Sequence, residues 1–196
     1  MKVIQCCVAI LWFLLCSSVQ ATPVLQINGS GKLTGATGVS VGSAIYTVNF
    51  AEGTCAEVFG ACDLAHFNFT TEASAMAASA ALLNDVFVGE FDTSPGLTFG
   101  CDIGVTLCGP STPYRLLTFD VGPGWGSSVA LNYDLEEYDR VSYTGAEFAT
   151  SSSTYFNAGN WTFAVWTQTS TVPIPGTITL LCLGLVALNC GRRKQT

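Results

Sequence analysis

Hydrophobic and polar residues alternate over several short stretches of the chain. Residues 24–34 and 39–50 both alternate in this way, and Gly35-Ala36-Thr37-Gly38 lies between them. This pattern predicts two strands joined by a turn. The apolar positions change face around Gly42-Ser43, which predicts a bulge in the second strand. Further stretches that predict strands lie at Phe67–Thr71, Leu116–Val121, Val129–Tyr133, Tyr138–Tyr143 and Trp161–Gln168.

One stretch has a helical pattern instead. Residues 72–88 contain an alanine-rich run, ASAMAASAALLNDVF, which has a high helix propensity. Thr70 or Thr71 can cap its N-terminus, where the helix dipole favours Glu72. One stripe of this helix, which we expect to pack in the core, is formed by Met76, Ala80, Leu83 and Phe87. Many strands with a single helix predict an α+β fold, built mostly from an antiparallel β-sheet or sandwich.

The N-terminus has the features of a secretory signal peptide. A single cation, Lys2, precedes an apolar run from Cys6 to Cys16, and Val19-Gln20-Ala21 ends the segment. This order of features predicts export and cleavage after Ala21. The alternative is an N-terminal helix that stays uncleaved as a membrane anchor.

A second apolar segment, ITLLCLGLVAL, lies near the C-terminus at residues 178–188. It is preceded by Val172-Pro173-Ile174-Pro175 and followed by Arg192, Arg193 and Lys194. A helix that starts after Pro175 is about 22 Å long. That is short for a bilayer core of about 30 Å, but local thinning allows it to span. The terminal cations predict that this end stays in the cytoplasm and the body outside. The alternative is a buried helix of the globular fold.

These two segments predict three parts in the chain. They are a signal peptide at residues 1–21, an exported body at residues 22–171, and a sorting signal with a transmembrane helix at residues 172–196. A body of this length can bury one hydrophobic core.

The C-terminal segment resembles the PEP-CTERM sorting signal of Gram-negative bacteria. The resemblance lies in Val172-Pro173-x-Pro175, the apolar span and the closing Arg192-Arg193-Lys194. It implies processing by an exosortase, a membrane cysteine transpeptidase that cleaves near the proline motif, and an association with exopolysaccharide and the cell surface. Ile174 stands where the family usually has Glu. A processing enzyme that requires this carboxylate would leave the protein anchored in the inner membrane.

The predicted body is strongly acidic. All 14 acidic residues lie in it, against Lys32, Arg115 and Arg140, which gives a formal charge of −11. Such a charge excludes nucleic acid as a partner, because binding to phosphates requires a basic surface. It favours solubility or the binding of divalent cations. A hydrophobic content of 49% excludes an intrinsically disordered chain.

Four of the nine cysteines lie in the body, in two Cys-x6-Cys repeats: Cys55, Cys62, Cys101 and Cys108. An even number is typical of disulfides formed in an oxidising compartment. A disulfide requires Cα atoms within about 7 Å, whereas seven extended steps cover about 23 Å. Gly60 and Gly104 can provide the reversals that local pairs need, so the pairs Cys55–Cys62 and Cys101–Cys108 are favoured. The two crossed connectivities and a zinc site of four thiolates remain as alternatives.

Residues with catalytic chemistry are few. His66 is the only histidine, and the nearby Cys62 and Asp63 suggest a Cys/His nucleophile pair. We expect this cysteine to be oxidised, however, and an oxidised cysteine cannot attack a substrate. The sequence has no nucleophile-elbow, zinc-protease or phosphate-loop motif, and Asp120 or Glu147 alone do not indicate a glycosidase. We therefore expect no enzymatic activity and no cofactor, with a secreted hydrolase as a weak alternative.

Two further sets of residues suggest ligands. Weak calcium candidates occur in the acidic run DLEEYD, namely Asp134, Glu136, Glu137 and Asp139; a solvated turn between two strands explains this run equally well. Trp125, Trp161 and Trp166 are candidates for stacking on sugar rings, although packing in the core is the expected role. Alternation places Trp161 and Trp166 on opposite faces of their strand. These sets give the alternative function, a carbohydrate- or calcium-binding surface adhesin.

The body is also similar to a group of exported proteins that carry this C-terminal signal and have no known activity. The similarity lies in residues 33–39, 46–50, 52–55, 81–87, 100–101 and 112–114. It implies a location and a fold rather than a mechanism. The leading hypothesis is therefore a non-enzymatic protein of the cell envelope or extracellular matrix. It is anchored in the inner membrane as an intermediate and processed by an exosortase-type enzyme. It then reaches the cell surface or a biofilm matrix, with exopolysaccharide as a partner.

Overall fold

A computed structural model describes residues 22–119, 122–146 and 159–171. Its strands form one seven-stranded mixed sheet in the order β1-β2-β3-β7-β4-β5-β6. The strands are β1 (Val24–Ile27), β2 (Leu33–Val41), β3 (Ala44–Ala51), β4 (Leu107–Phe119), β5 (Gly122–Tyr133), β6 (Arg140–Ala146) and β7 (Trp161–Thr171). The helices are short: α1 (Cys55–Phe59), α2 (Glu72–Ala81) and α3 (Glu90–Thr93). The predicted sheet-rich α+β class is confirmed.

The sheet differs from the prediction in its topology. Most neighbouring strands pair antiparallel, but β4 and β7 are parallel, with Gly109 opposite Trp161. The strand that comes last in the sequence, β7, lies between β3 and β4 at the centre of the sheet. In the described ranges the strands belong to this single sheet, so the predicted sandwich is replaced by a sheet with helices packed against it.

The turns near the start of the body were predicted in the wrong places. The segment Gly35–Gly38 lies inside β2, and β1 joins β2 through residues 28–32. Gly35 is needed for close approach, because a Cβ there would collide with the carbonyl oxygen of Val48 on β3. Gly42-Ser43 is a two-residue hairpin turn, with Gly42 at φ 62°, and the bulge lies between Thr37 and Val39.

Helix α2 confirms the strongest local prediction. The Thr71 hydroxyl caps it by accepting a hydrogen bond from the Ser74 amide at 3.2 Å, and a π-helical turn, Leu82–Val86, continues it. The predicted stripe is correct at Phe87, which is buried in the core, and at Leu83, which packs against it, but wrong at Met76, which is 40% exposed. The buried face of the helix and its π-helical turn consists of Ala75, Ala78, Ser79, Ala81, Leu82 and Val86. Its small side chains let the helix lie close to the sheet, where the Ser128 hydroxyl donates to Ser79 at 2.9 Å.

The predicted strand Phe67–Thr71 is irregular chain instead. Its two buried aromatic residues, Phe67 and Phe69, belong to different hydrophobic clusters. The larger cluster lies between α2 and the sheet and includes Phe69 and Trp166. The smaller cluster lies on the other face of the sheet, because its members Trp125 and Phe163 alternate with residues that face α2.

No helix within these described ranges is long and apolar enough to cross a membrane. The predicted signal peptide with its cleavage point at Ala21 lies outside the described residues. The sorting signal at residues 172–196 lies outside them as well. The three predicted parts of the chain therefore remain predictions.

Candidate functional site

The four cysteines of the body form two local pairs. The Cα atoms of Cys55 and Cys62 are 5.3 Å apart, and those of Cys101 and Cys108 are 5.9 Å apart. Both pairs have disulfide geometry and the connectivity that the spacing favours. Thiolates engaged in disulfides cannot bind zinc, so the four-thiolate alternative does not fit this arrangement.

The first pair holds α1 against the sheet. A capping box begins the helix, since the Glu57 amide donates to the Thr54 hydroxyl and the Thr54 amide donates to the Glu57 carboxylate. The Thr54 backbone donor holds the pKa of Glu57 below its usual range. Cys55 is fully buried beside Phe67, Trp125 and Phe163. This disulfide is therefore part of the smaller hydrophobic cluster.

The candidate Cys/His pair lacks a nucleophile. His66 Nδ1 lies 2.8 Å from Asp63 Oδ1 at an exposed position, and this hydrogen bond holds the pKa of Asp63 below its usual range. The neighbouring Cys62 is bonded to Cys55. His66 and Asp63 thus form a hydrogen-bonded pair on the surface, just after Cys62 in the sequence.

The acidic run forms the turn between β5 and β6, with a short 3-10 helix at Glu136–Tyr138. Nowhere in the described residues do three carboxylate, histidine or cysteine side chains converge as they would around a metal ion. The calcium candidates Asp134, Glu136, Glu137 and Asp139 therefore stay weak, and the structure places them at a turn.

Asp139 has a partner that the sequence pattern did not indicate. Its Oδ1 accepts a hydrogen bond from the Tyr133 amide at 2.6 Å, which ties the turn to the end of β5. Partial burial raises the pKa of Asp139 to about 6, and the nearby carboxylate of Asp92, on α3, adds to the effect. Asp92 precedes Asp139 by 47 residues, so only the fold brings the two carboxylates together.

Two of the three candidate tryptophans are core residues. Trp125 is 2% exposed, and Trp166 packs edge-on against Phe69 and donates its indole N–H to the Thr112 hydroxyl at 3.1 Å. Trp161 is half-buried, with its ring over Gly109. Stacking of sugars on Trp125 or Trp166 is therefore not supported by their positions.

An exposed tyrosine, Tyr143, lies beside an arginine and the buried Tyr114. A β-bulge between Pro113 and Arg115 places the consecutive side chains of Tyr114 and Arg115 on the same face of the sheet. The Arg115 guanidinium carbon lies 5.5 Å from the ring centroid of Tyr114 and 5.2 Å from that of Tyr143. Gly126 makes room for it, because the Arg115 stem lies directly over this residue. We call Glu72, Tyr114, Arg115 and Tyr143 the tyrosine–arginine cluster.

Hydrogen bonds fix the geometry of this cluster. The Arg115 guanidinium donates to the Tyr143 hydroxyl, and the Tyr114 hydroxyl donates to the Glu72 carboxylate at 3.2 Å. Burial raises the pKa of Tyr114, and the hydrogen bond to Tyr143 raises that of Arg115. The Tyr143 ring remains 42% exposed. An aromatic face, a guanidinium and a carboxylate are thus held side by side, which is chemistry suited to hydroxyl-rich ligands.

Comparison of this chain with protein families, with curated proteins and with solved structures finds no match. The features of this chain that bear on its function are therefore its fold, its disulfides and these surface clusters.

Proposed function

We propose that this protein is an exported, non-enzymatic component of the cell envelope or extracellular matrix, sorted through its C-terminal segment. The observation that carries the proposal is the pairing of all four body cysteines into two local disulfides. Structural disulfides form and persist in oxidising compartments outside the cytoplasm. The signal-peptide pattern at residues 1–21 and the acidic character of the body support the same location.

The position of the last described residue is compatible with a C-terminal anchor. Strand β7 begins at Trp161, at the end of the sheet where β4 also begins. It ends at Thr171, opposite Ala44. Eleven extended residues place this end about 33 Å from Trp161. The described part of the chain thus ends at the end of a strand, which is where an anchor would be joined to the body.

The proposal is tested by the intact mass of the mature protein from strains with and without an exosortase-type enzyme. We expect a mass that lacks residues 1–21 in both strains and lacks part of residues 172–196 only when the enzyme is present. The mass should rise by four hydrogens on reduction, since two disulfides are expected.

A matched control is the double substitution Pro173→Ala and Pro175→Ala, which should keep the body folded and block C-terminal processing. Equal processing in both strains would refute sorting by this enzyme. Recovery of the full-length chain from the cytosol with reduced thiols would refute export itself.

The tyrosine–arginine cluster favours a second candidate function, the binding of a neutral glycan. The exposed Tyr143 ring offers a stacking face, and the neighbouring Arg115 and Glu72 offer donors and acceptors for sugar hydroxyls. A neutral glycan fits better than an anionic one, because the acidic body repels polyanions.

An array of neutral oligosaccharides tests this second candidate. We expect binding that falls at least tenfold in Tyr143→Ala and is unchanged in Tyr138→Ala. Tyr138 is a suitable control because it is similarly exposed and packs edge-on against Tyr133, in the turn between β5 and β6. Equal binding by both variants, or no binding by the unmodified protein, would refute a glycan site at this cluster.

A further inference from the structure

The second disulfide closes a loop that exposes an isoleucine. Residues 101–108, which we call the Ile103 loop, connect the 3-10 helix at Pro95–Leu97 to β4. Ile103 is 84% exposed, the highest value among the large hydrophobic side chains of the described residues. Single exposed apolar residues are common on protein surfaces. The rigidity of the loop and its neighbours are therefore what would distinguish Ile103 as a binding residue.

The backbone of the Ile103 loop is fixed at several points. The Asp102 amide donates to the Gly159 carbonyl at 2.7 Å, and the Asp134 amide donates to the Thr106 carbonyl at 3.1 Å. The Lys32 ammonium donates to the Cys101 carbonyl. Gly96 lies so close beneath residues 102–104 that it has no space for a Cβ. Ile103 is therefore presented by a preorganised loop, and binding through it loses little conformational entropy.

The Ile103 loop is attached to a second exposed segment that carries carboxylates. The link between Thr106 and Asp134 joins the Ile103 loop to the β5–β6 turn, where Leu135 is also exposed. Exposed or half-buried carboxylates on these two segments are Asp102, Asp134, Glu136, Glu137 and Asp139. Two cations lie nearby: Lys32, which is bonded to the loop, and Arg140, which stacks on Tyr133. The two segments together are therefore net negative.

This charge decides between possible occupants. A second copy of the chain would bring a body of the same negative charge, and an anionic lipid surface or a nucleic acid would be repelled for the same reason. A polypeptide surface with an apolar pocket and surrounding lysines or arginines is complementary in both shape and charge.

We propose that the Ile103 loop is a binding site for a cationic polypeptide partner. Ile103 is the apolar anchor, and the neighbouring carboxylates are the steering charges. The loop lies at the end of the sheet where β4 and β7 begin, opposite the end at which Thr171 leaves it. This docking function goes beyond the proposed envelope location and does not depend on it.

Selection from a random peptide library displayed on phage tests the proposal with the disulfide-bonded protein as bait. We expect enriched peptides to carry an aliphatic or aromatic residue flanked by lysine or arginine. A synthetic enriched peptide should bind at least tenfold more weakly to Ile103→Ser. Its affinity should fall by a similar factor between 50 and 300 mM salt, because the steering charges are screened.

The matched control is Val24→Ser, which removes an exposed apolar side chain from the edge strand β1. It should leave peptide binding unchanged, and near-UV circular dichroism should show that both variants fold. The proposal is overturned if no peptide is enriched, if the enriched peptides lack cations, or if Ile103→Ser binds them as well as the unmodified protein. Sedimentation that shows self-association dependent on Ile103 would also overturn it in favour of a second copy.

Discussion

Two loops of this protein have the same cysteine spacing but opposite environments. The Cys55–Cys62 loop folds into a helix whose disulfide packs among aromatic residues, whereas the Cys101–Cys108 loop holds an isoleucine in solvent. Both loops have a sequence separation of 7, so the entropic gain from closing them is the same. The difference between them arises from what the fold places next to each loop.

The contrast shows that a disulfide framework alone does not define a role. At the first loop, Phe67 and Phe163 pack against the loop, so the loop is part of the smaller hydrophobic cluster. At the second loop, the two cysteines are also buried, but the residues between them are mostly exposed and are held by backbone hydrogen bonds. We expect the first loop to contribute mainly to stability and the second to recognition.

The largest effect on stability should come from removing the aromatic side chain that packs against the first loop. Phe163→Ala deletes a fully buried ring that contacts Trp125 and Phe59. It should lower the free energy of unfolding by about 3–5 kcal/mol. Ile103→Ala is the matched change at the second loop and should stay within about 0.5 kcal/mol of the unmodified protein. Urea denaturation followed by tryptophan fluorescence measures both. Similar losses for the two variants would contradict the assigned roles.

Removing the disulfides themselves should have a smaller and more even effect. Loop closure predicts a loss of about 2–3 kcal/mol for either Cys55→Ala with Cys62→Ala or Cys101→Ala with Cys108→Ala. The cavity left by the lost sulfur atoms should add a similar amount in both cases, because Cys55 is fully buried in the smaller cluster and Cys101 and Cys108 are buried as well. Thermal unfolding of the two double variants compares them. A loss confined to one of the two pairs would contradict this expectation.

Two glycines at the second loop give a finer test. Gly104 and Gly159 both have positive φ, 86° and 62°, and an alanine in this region costs about 1–2 kcal/mol. Gly159→Ala should cost at least about 1 kcal/mol more than Gly104→Ala, because its Cβ would also meet the Asp102 carboxylate. Chemical denaturation of the two variants gives the difference. Equal costs would show that Asp102 moves aside and that the loop is less firmly fixed than its contacts indicate.

The smallest effect is a difference in pH dependence near the two loops. The pKa of Asp63, beside the first loop, is lowered by its hydrogen bond to His66. Its stabilising contribution is therefore present above its ordinary pKa of 3.8 and lost as the pH falls. The pKa of Asp139, beside the second loop, is raised to about 6 by burial and by Asp92, so its contribution is present below 3.8 and lost as the pH rises through 6.

Unfolding of Asp63→Asn and Asp139→Asn between pH 3 and 7.5 separates these two contributions. Asp63→Asn should be relatively more destabilising at neutral pH. Asp139→Asn should remove a loss of stability that the unmodified protein shows between pH 4 and 7. Parallel pH profiles for the two variants would contradict the opposite signs of the shifts.

The features that the sequence predicts correctly are those that depend on neighbouring residues. Thr71 caps α2 because a threonine hydroxyl reaches the amide three residues ahead, and the cysteine pairs close over seven residues. The sequence wrongly predicts a turn at Gly35, because this position needs a glycine for close approach to a carbonyl on another strand. The prediction that Met76 is buried is wrong, because the alanine face of α2 packs against the sheet. The positions of the large apolar residues in the sequence do not indicate this.

The candidate sites follow the same division. The acidic run indicates Asp139, but its partner Asp92 comes from a helix far away in sequence. Tyr114 and Arg115 share a face only because of a bulge in β4, and a single-sequence pattern does not predict bulges of this kind. The exposure of Ile103 depends on the support of Gly96 and Gly159, two residues from separate parts of the chain.

The central position of β7 has a consequence for the order in which the molecule can be completed. Within the described residues, strands β1–β3 and β4–β6 are two three-stranded groups that are joined into one sheet by the backbone pairing of β7 with β3 and β4. A ribosome-bound chain that has not yet released residues 161–171 therefore lacks the strand that joins the two groups. The whole sheet can form only after both groups have been synthesised.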